Sequence, residues 1–193
     1  MTQYILTNKE MAKADFLTIE SGISSLDLVF NAGKKVFNNL PIKKGKRALF
    51  ICGPGNNGGD GYVAADLLLK KGMEIDIYCP ISKARESNDN LYYKQKLNNS
   101  LFVSKIKNIT NYCYVVDALF GTGLSRTMSG DLISLINNIN NSKLDVYSVD
   151  IPSGINGDTS TVLGDAFKAS KTITFFNKKK CHYYILEKNI VEK

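Results

Sequence analysis

The sequence predicts an α/β protein in which helices cover both faces of a mostly parallel sheet. Short apolar runs alternate with helix-like segments of ~10–15 residues, the pattern of parallel strands joined by crossover helices. The runs are apolar at most positions, as in strands buried on both faces. The glycine-rich segment 53–61 follows the first run, a common arrangement for holding a phosphate on backbone N–H groups. We therefore expect a three-layer αβα, Rossmann-like fold.

Two helices are predicted before the first strand. In the first, apolar residues recur at helical spacing within 12–23, and Gly22 is expected to end it. Ser24 or Ser25 is expected to cap the second helix, which is predicted to run to about Leu40.

Strands and helices then alternate along the rest of the chain. Gly72 closes a predicted helix, and Pro80 and Pro152 follow predicted strands, because proline cannot donate to a ladder of backbone hydrogen bonds. The predicted strands cover 48–52, 74–79, 112–116, 145–149 and 171–176, with a last candidate at 183–186, and the predicted helices cover 61–71, 87–99 and 130–141.

Composition is typical of a soluble globular protein, with 44% hydrophobic and 22% charged residues. The 193 residues suffice for one domain with a substantial core. No apolar stretch approaches the ~18 residues of a membrane helix. The first residues lack the basic and apolar regions of a signal peptide, so we expect a cytoplasmic protein.

The cysteines and the single histidine show no metal-ligand spacing. Cys52, Cys79, Cys113 and Cys181 are interpreted as buried thiols of a reducing compartment. No cysteine or carboxylate stands at ligand spacing from His182, which argues against a histidine-based metal site or a Ser-His-Asp triad around it.

The net charge of +7 includes two basic clusters, within 43–47 and at 178–180. Such clusters are either solvated loops or surfaces that attract phosphates, nucleotides or RNA. No aromatic RNA-binding motif accompanies them, so nucleic acid is an unlikely partner.

Three polar motifs each follow a predicted strand: 53–61 (GPGNNGGDG), 117–126 (DALFGTGLSR) and 150–154 (DIPSG). In an open parallel sheet, ligands bind outside the carboxyl ends of the strands. We therefore expect one cleft to gather the side chains of Asn56, Asn57, Asp60, Asp117, Asp150 and Ser153.

Two common nucleotide-binding motifs fit the first segment poorly. Residues 53–58 match G-x-G-x-x-G, but a dinucleotide fingerprint also requires an acidic residue about 20 positions on, at the end of the second strand. That strand ends in Cys79 and Pro80, while Asp76 lies in mid-strand. A conventional nicotinamide dehydrogenase is therefore disfavoured. A P-loop is excluded because no G-K-[ST] follows the glycines.

Segments 53–61, 115–123 and 149–154 resemble, in order, the three signatures of the YjeF N-terminal domain family, the NAD(P)H-hydrate epimerases. The N-terminal segments 9–11 and 31–33 also resemble that family, and the resemblance extends to about His182. Residues 1–193 are interpreted as one domain of this type, either complete or the first domain of a longer bifunctional protein.

The resemblance implies an enzyme that interconverts the R and S forms of hydrated NADH and NADPH, in which a hydroxyl occupies C6 of the nicotinamide ring. A companion ADP- or ATP-dependent dehydratase repairs only the S form. The reaction needs an acid to help hydroxide leave and a base to activate the returning water, and one carboxyl can do both. Asp150 is the candidate, and the sequence leaves open whether it works alone or with Lys179. The alternative role of Asp150 is to cap the N–H groups of its own turn.

The resemblance also implies one potassium ion per subunit, held by Asn57, Asp117 and Ser153 together with backbone carbonyls. Amide, carboxylate and hydroxyl oxygens suit a hard cation. The alternative for these three side chains is a hydrogen-bond network without an ion.

The resemblance implies that segments 56–60 and 121–127 line the dinucleotide. Glycines let the backbone approach the pyrophosphate, and Arg126 is available to pair with it. Asp60 has an alternative role as a helix N-cap, and Thr122 as a turn residue. The substrate-binding residues expected from the resemblance, besides Asp150, are Asn56, Asn57, Gly58, Gly59, Asp60, Gly121, Thr122, Gly123, Leu124, Ser125, Arg126 and Thr127.

A second hypothesis belongs to another functional class. Some YjeF-like domains are inactive scaffolds that dimerise and bind RNA or protein partners. The presence of Asn57, Asp117, Asp150 and Ser153 favours the enzyme, because a scaffold does not require the acid and the ion ligands. The family also implies a homodimer formed through the N-terminal helices.

Overall fold

A computed structural model describes residues 5–81, 85–128 and 130–187. Its centre is a sheet of six strands, all parallel, in the order β3-β2-β1-β4-β5-β6. The strands are β1 (Arg47–Cys52), β2 (Glu74–Tyr78), β3 (Phe102–Val103), β4 (Val115–Ala118), β5 (Val146–Val149) and β6 (Lys171–Ile173). The predicted α/β class and parallel sheet are confirmed.

Helices surround this sheet. They are α1 (Asn8–Glu20), α2 (Ser25–Asn38), α3 (Asn56–Leu69), α4 (Asn88–Gln95), α5 (Gly130–Asn141) and α6 (Lys180–Glu187). Thr7 caps α1 in a capping box with Glu10, and Ser24 caps α2 through the N–H of Asp27. No helix within the three described ranges is long and apolar enough to cross a membrane.

The three layers follow from the alternation of side chains along β1. Phe50 packs into a core that contains residues of α2, α3 and α4, and its neighbour Ile51 packs into a second core with α5. Both side chains are fully buried, as expected for a central strand covered on both faces.

The register of the central strands brings their carboxyl ends to one level. Asp117 of β4 lies beside Ile51 of β1 on one side and beside Ser148 of β5 on the other. The segments that follow β1, β4 and β5 therefore emerge side by side.

Helix α3 begins at Asn56, five residues before the predicted start at residue 61. Most of the glycine-rich motif is thus the first part of a helix and not a loop. Glycine is a poor helix former, but here its missing side chain permits close packing. A Cβ at Gly61 would lie 2.7 Å from the Cβ of Ala118 and 3.1 Å from the Sγ of Cys52, so the helix lies directly on the sheet.

Other predicted boundaries shift by a few residues, and one element changes type. The fourth strand begins at Val115 instead of residue 112, which places Asp117 inside it. The candidate strand at 183–186 is wrong, because these residues belong to α6. A short apolar run fits a strand or a helix equally well, and periodicity alone does not separate them.

Gly33 is expected to control how closely α2 approaches α3. A Cβ at this position would lie 2.5 Å from the Cβ of Val63 and 2.6 Å from the carbonyl oxygen of Asp60. We expect Gly33→Ala to lower the free energy of unfolding by about 1–3 kcal/mol, the usual cost of overpacking, as measured by urea denaturation. Gly130→Ala is the control, because a Cβ there meets no heavy atom of the described neighbours within 4 Å. Equal stability of the two variants would contradict this account.

Candidate active site

A cavity of about 890 Å³ lies at the carboxyl ends of the strands. Its lining comes from α1, α2, the start of α3 and the segments after β4, β5 and β6. The sequence-predicted residues that line it are Asn56, Asn57, Asp60, Gly121, Thr122, Gly123 and Asp150. The structure therefore brings parts of all three polar motifs together at one edge of the sheet.

Asp150 is one of three carboxylates that line this cavity. It directly follows β5 with a left-handed backbone, φ 65°, a conformation that costs a non-glycine residue free energy. Its N–H donates to the carbonyl oxygen of Ile173, which ties the residue to β6. The Nζ of Lys179 donates to Oδ1 at 2.6 Å, and the hydroxyl of Thr174 donates to the same oxygen at 3.1 Å.

The second carboxylate oxygen of Asp150 has different surroundings. No hydrogen bond from the described residues reaches Oδ2, and a Cβ built on Gly121 would lie 3.1 Å from it. The capping role considered for Asp150 is wrong, because its carboxylate bonds Lys179 and Thr174 instead of its own turn. One oxygen is thus anchored and the other is available to a ligand.

Lys179 bonds the side chain of Asp150, and His182 bonds its backbone carbonyl. The Lys179 side chain is 1% exposed, so its ion pair with Asp150 is shielded from water. Loss of either partner would leave a charge buried without its counter-charge, which is strongly destabilising. The sequence leaves open whether Lys179 acts with Asp150, and the structure pairs the two side chains directly.

His182 joins Lys179 and Asp150 through its two ring nitrogens. Nδ1 accepts the N–H of Lys179 at 2.9 Å, so Nε2 carries the proton and donates to the carbonyl oxygen of Asp150 at 2.7 Å. Burial lowers the pKa of His182, which favours this neutral form. The histidine therefore has a positioning role that its sequence context did not reveal.

Asp117 and Ser153 form a buried network below the cavity. The hydroxyl of Ser153 donates to Oδ1 of Asp117 at 2.6 Å, and its N–H donates to Oδ2 at 2.8 Å. Oδ2 also accepts the hydroxyl of Ser148, and Oδ1 accepts the N–H of Leu119. Burial raises the pKa of Asp117 to about 6, and these hydrogen bonds limit the rise.

Asn57 and Asp150 border the same small space beside Gly121. The same Cβ position at Gly121 that lies 3.1 Å from Asp150 Oδ2 also lies 3.1 Å from Asn57 Oδ1. The Nδ2 atom of Asn57 is buried and has no hydrogen-bond partner among the described residues. A side-chain amide and a carboxylate therefore face the space beside Gly121, and part of the amide is unsatisfied.

Asp60 is not the N-cap of a helix, so that alternative is wrong. Gly55 occupies the N-cap position of α3, and Asp60 lies one turn inside. Its side chain is buried and lines the cavity. Burial raises the pKa of Asp60 well above its usual range, and the nearby charges of Asp150 and Asp15 add to the rise.

Gly58 and Gly59 face α4 and support the start of α3 by packing. A Cβ at Gly58 would overlap the carbonyl oxygen of Gly53, and one at Gly59 would lie 3.5 Å from the Cα of Asn90. The Nδ2 of Asn90 donates to the carbonyls of Gly53 and Gly55 and so holds the turn. Asn90 gave no sequence signal, because it acts across more than thirty residues of chain.

The segment after β4 also lines a neighbouring cavity of about 810 Å³. Pro54, Phe120 and Gly123 line both cavities, so the two spaces adjoin. Arg126 supplies a positive charge to the second cavity and forms no ion pair within the described part of the chain. The predicted residues that line this space are Gly123, Leu124, Ser125, Arg126 and Thr127.

Asp15 of α1 is a further cavity residue that the sequence analysis missed. Burial raises its pKa, while the charge of Lys179 opposes the rise. Asp15 is the one charged residue among the α1 residues that line the cavity, which is a weak signal in the sequence.

Known proteins resemble this chain over most of its length. Residues 25–181 match the family model described as YjeF-related protein N-terminus. The chain is 39% identical to a Lentilactobacillus buchneri protein named NAD(P)H-hydrate epimerase, over 90% of this chain and 83% of that protein. It is 35% identical to the Oenococcus oeni protein of the same name, over 92% and 88% of the two chains.

A solved structure shares the fold. The crystal structure of yeast ynu0, YNL200c, superimposes with a TM-score of 0.78 at 23% identity and covers 96% of this chain and 86% of that one. This likeness shows the fold, and the family follows from the match over residues 25–181 and from the relatives at 39% and 35% identity. The chain belongs to the YjeF-related N-terminal domain family.

Proposed function

We propose that this protein is an NAD(P)H-hydrate epimerase, an isomerase of nicotinamide cofactor repair that interconverts the R and S hydrates of NADH and NADPH. The observation that carries the proposal is the state of Asp150: one oxygen is fixed by Lys179 and Thr174, and the other is free at the cavity. Relatives named NAD(P)H-hydrate epimerase match over most of their length. We find no feature that favours the scaffold alternative.

The chemistry needs proton transfer at the hydroxyl of C6. The ring nitrogen pushes the C6–O bond apart, an acid gives the leaving hydroxide its proton, and a base takes the proton of the water that returns. Lys179 stabilises the negative charge of Asp150, which suits the base. Gly121 keeps space open beside Oδ2, so that a ring is able to approach. Neither a covalent nucleophile nor a redox step is required.

The two adjoining cavities offer separate places for two parts of the dinucleotide. The larger one holds Asp150 and would take the hydrated nicotinamide end. The smaller one holds Arg126 and would take a phosphate-bearing part of the dinucleotide, since guanidinium groups pair well with phosphates.

We further propose a potassium ion, one per subunit, at Asn57, Asp117 and Ser153. The donor set fits a hard cation: Asn57 Oδ1, beside Gly121, accepts no hydrogen bond from the described residues, and Asp117 is a buried carboxylate with no cationic partner among them. Asp117 and Ser153 already bond to each other, so a cation would share their oxygens. The ion would fix the three strand ends and offset the buried charge.

A homodimer through the N-terminal helices is part of the proposal. Exposed apolar side chains recur along α1, the turn to α2 and the first half of α2, and groups of such side chains commonly mark an interaction surface. Phe16 is 58% exposed and Leu17 54%. The remaining members of this group are Ile19, Ile23 and Phe30.

The epimerase would work beside a dehydratase in the cytoplasm. A Thermofilum pendens relative, 37% identical over 80% of this chain, is named a bifunctional NAD(P)H-hydrate repair enzyme, and this chain covers 32% of it. We propose that an ADP- or ATP-dependent dehydratase removes the S hydrate that this enzyme supplies.

Asp150→Asn is expected to lower the epimerisation rate by about 10²–10⁴-fold, the usual contribution of a general acid–base group. The R and S hydrates of NADH are mixed with excess S-specific dehydratase and its nucleotide, and reappearance of NADH absorbance is followed. The spontaneous rate is subtracted. Asp66→Asn, at an exposed carboxyl of α3 paired with Lys70, controls for the substitution itself. Because Asp150→Asn leaves the buried Lys179 without its counter-charge, rates are compared at a temperature at which circular dichroism shows all variants folded.

Two outcomes of this assay would count against the proposal. A folded wild-type protein that clears the R hydrate no faster than the blank is not an epimerase, and RNA and protein binding would then be tested. An Asp150→Asn variant with wild-type activity would show that Asp150 takes no part in the chemistry, although the protein would still be an epimerase.

Potassium is expected to raise the melting temperature. An ion at 100 times its Kd stabilises the native state by about 2.7 kcal/mol. Melting is followed in potassium, sodium and tetramethylammonium chloride at equal ionic strength. Asn57→Ala should remove the potassium-specific increase. Identical melting curves of the wild type in all three salts would contradict the site, whatever the enzymatic activity.

A further inference from the structure

Asp60 is a buried carboxyl group that the mechanism above does not use. It is 7% exposed, it lines the same cavity as Asp150, and it has no hydrogen-bond or ion-pair partner among the described residues. Buried carboxyl groups without a partner are costly and uncommon. A group of this kind inside a cavity is therefore expected to meet a ligand.

The fold holds Asp60 in place through its backbone. Asn57 and Asp60 stand three residues apart on α3, so both side chains lie on one face of that helix. The missing side chains of Gly33 and Gly61 let α3 lie against α2 and the sheet, and an added Cβ at Gly33 would lie 2.6 Å from the Asp60 carbonyl oxygen. Asp60 thus approaches the cavity from α3, whereas Asp150 approaches from the end of β5.

The stereochemistry of the reaction requires two directions of approach. Epimerisation at C6 means that hydroxide leaves one face of the ring and water returns to the other. A single carboxylate on one wall reaches one face of a ring that stays in place. Two carboxyl groups on different walls are able to serve one face each without the ring turning over.

We propose, on the basis of the function proposed above, that Asp60 is a second catalytic residue and acts as the acid–base group for the face of the ring that Asp150 does not reach. In one direction, the Asp60 carboxylic acid gives its proton to the hydroxyl as the C6–O bond breaks and the ring nitrogen lone pair forms a C=N bond. The hydroxide leaves as water. A water on the other face then adds to C6 and gives its proton to the Asp150 carboxylate.

The charges around the two groups suit these opposite starting states. Asp150 bonds the Lys179 ammonium, so the carboxylate is stabilised as the base. Asp60 is buried at the cavity wall and lies near the carboxylates of Asp150 and Asp15, and both effects favour its protonated form. Two carboxyl groups with opposed environments are a common way to divide acid and base roles. The next turnover, from the opposite epimer, starts with the reverse protonation.

Oxygen exchange separates this proposal from a one-carboxyl mechanism. Each purified epimer of hydrated NADH is incubated in oxygen-18 water with wild type, Asp60→Asn and the control Asp66→Asn. The epimers are separated, and the oxygen-18 in each is measured by mass spectrometry after subtraction of the uncatalysed rate. We expect Asp60→Asn to lower epimerisation by about 10²–10⁴-fold while one epimer still exchanges its hydroxyl oxygen with retained configuration. That exchange reports Asp150 acting alone on its own face.

Three results would overturn the assignment. One is epimerisation by Asp60→Asn at the wild-type rate, and another is the loss of exchange together with inversion, which would indicate a binding role. The third is a large fall in melting temperature, which would indicate a structural role, because removal of an unpartnered buried carboxyl should leave stability equal or higher. Activity of the wild type in the coupled assay keeps these results distinct from a failure of the epimerase proposal itself.

Discussion

The arrangement of the site depends on the buried carboxylate of Asp117. This side chain sits at the end of β4, between β1 and β5, and accepts hydrogen bonds from Ser148, Ser153 and Leu119. Ser153 in turn accepts the N–H of Phe120 at 2.8 Å, so the segment after β4 and the segment after β5 are joined. Because these segments carry Gly121 and Asp150, the hydrogen bonds of Asp117 and Ser153 fix the relative positions of these two cavity residues.

This network also illustrates how the protein distributes its charges. Among the described residues, Asp117 accepts four hydrogen bonds and pairs with no cationic side chain, whereas Asp150 pairs with Lys179 and accepts the hydroxyl of Thr174. Asp60 has neither kind of partner among them. From Asp117 to Asp150 to Asp60, the carboxyl group has fewer hydrogen-bond partners within the protein and is more available to a ligand. Active sites commonly retain such unfavourable groups at a cost in stability, because the ligand supplies the missing partner.

Much of the fold was predictable because the signals are local. Apolar runs, prolines and glycines mark the strands and their ends, and the rule for parallel sheets places the motifs after β1, β4 and β5 at one edge. The start of α3 was not predictable in this way. Glycine and asparagine favour a loop, but contact of Gly61 with Ala118 and Cys52 overrides that preference, and such contacts arise only in the folded chain.

The residues of the site were likewise predictable where their signal is local and were missed where it depends on the folded chain. Asn57, Asp117 and Asp150 were identified from motifs, and the pairing of Lys179 with Asp150 was left open. Asn90 and Asp15 were missed, because they act on residues far away in the sequence. Asp60 was identified, but its environment was not: its position in the chain suggests a helix cap, and only the packing of α3 shows it as a buried group in a cavity.

The two hydrogen bonds of the His182 ring have a practical consequence. The chain contains one histidine, and its ring bonds the backbone of Asp150 through Nε2 and that of Lys179 through Nδ1. In a proton–nitrogen NMR spectrum, the imidazole signals of this protein therefore come from one ring, without overlap from any other. The native sequence thus carries its own spectroscopic reporter of how Asp150 is held, and ligand-induced movement at that residue is observable without an added label on the protein surface.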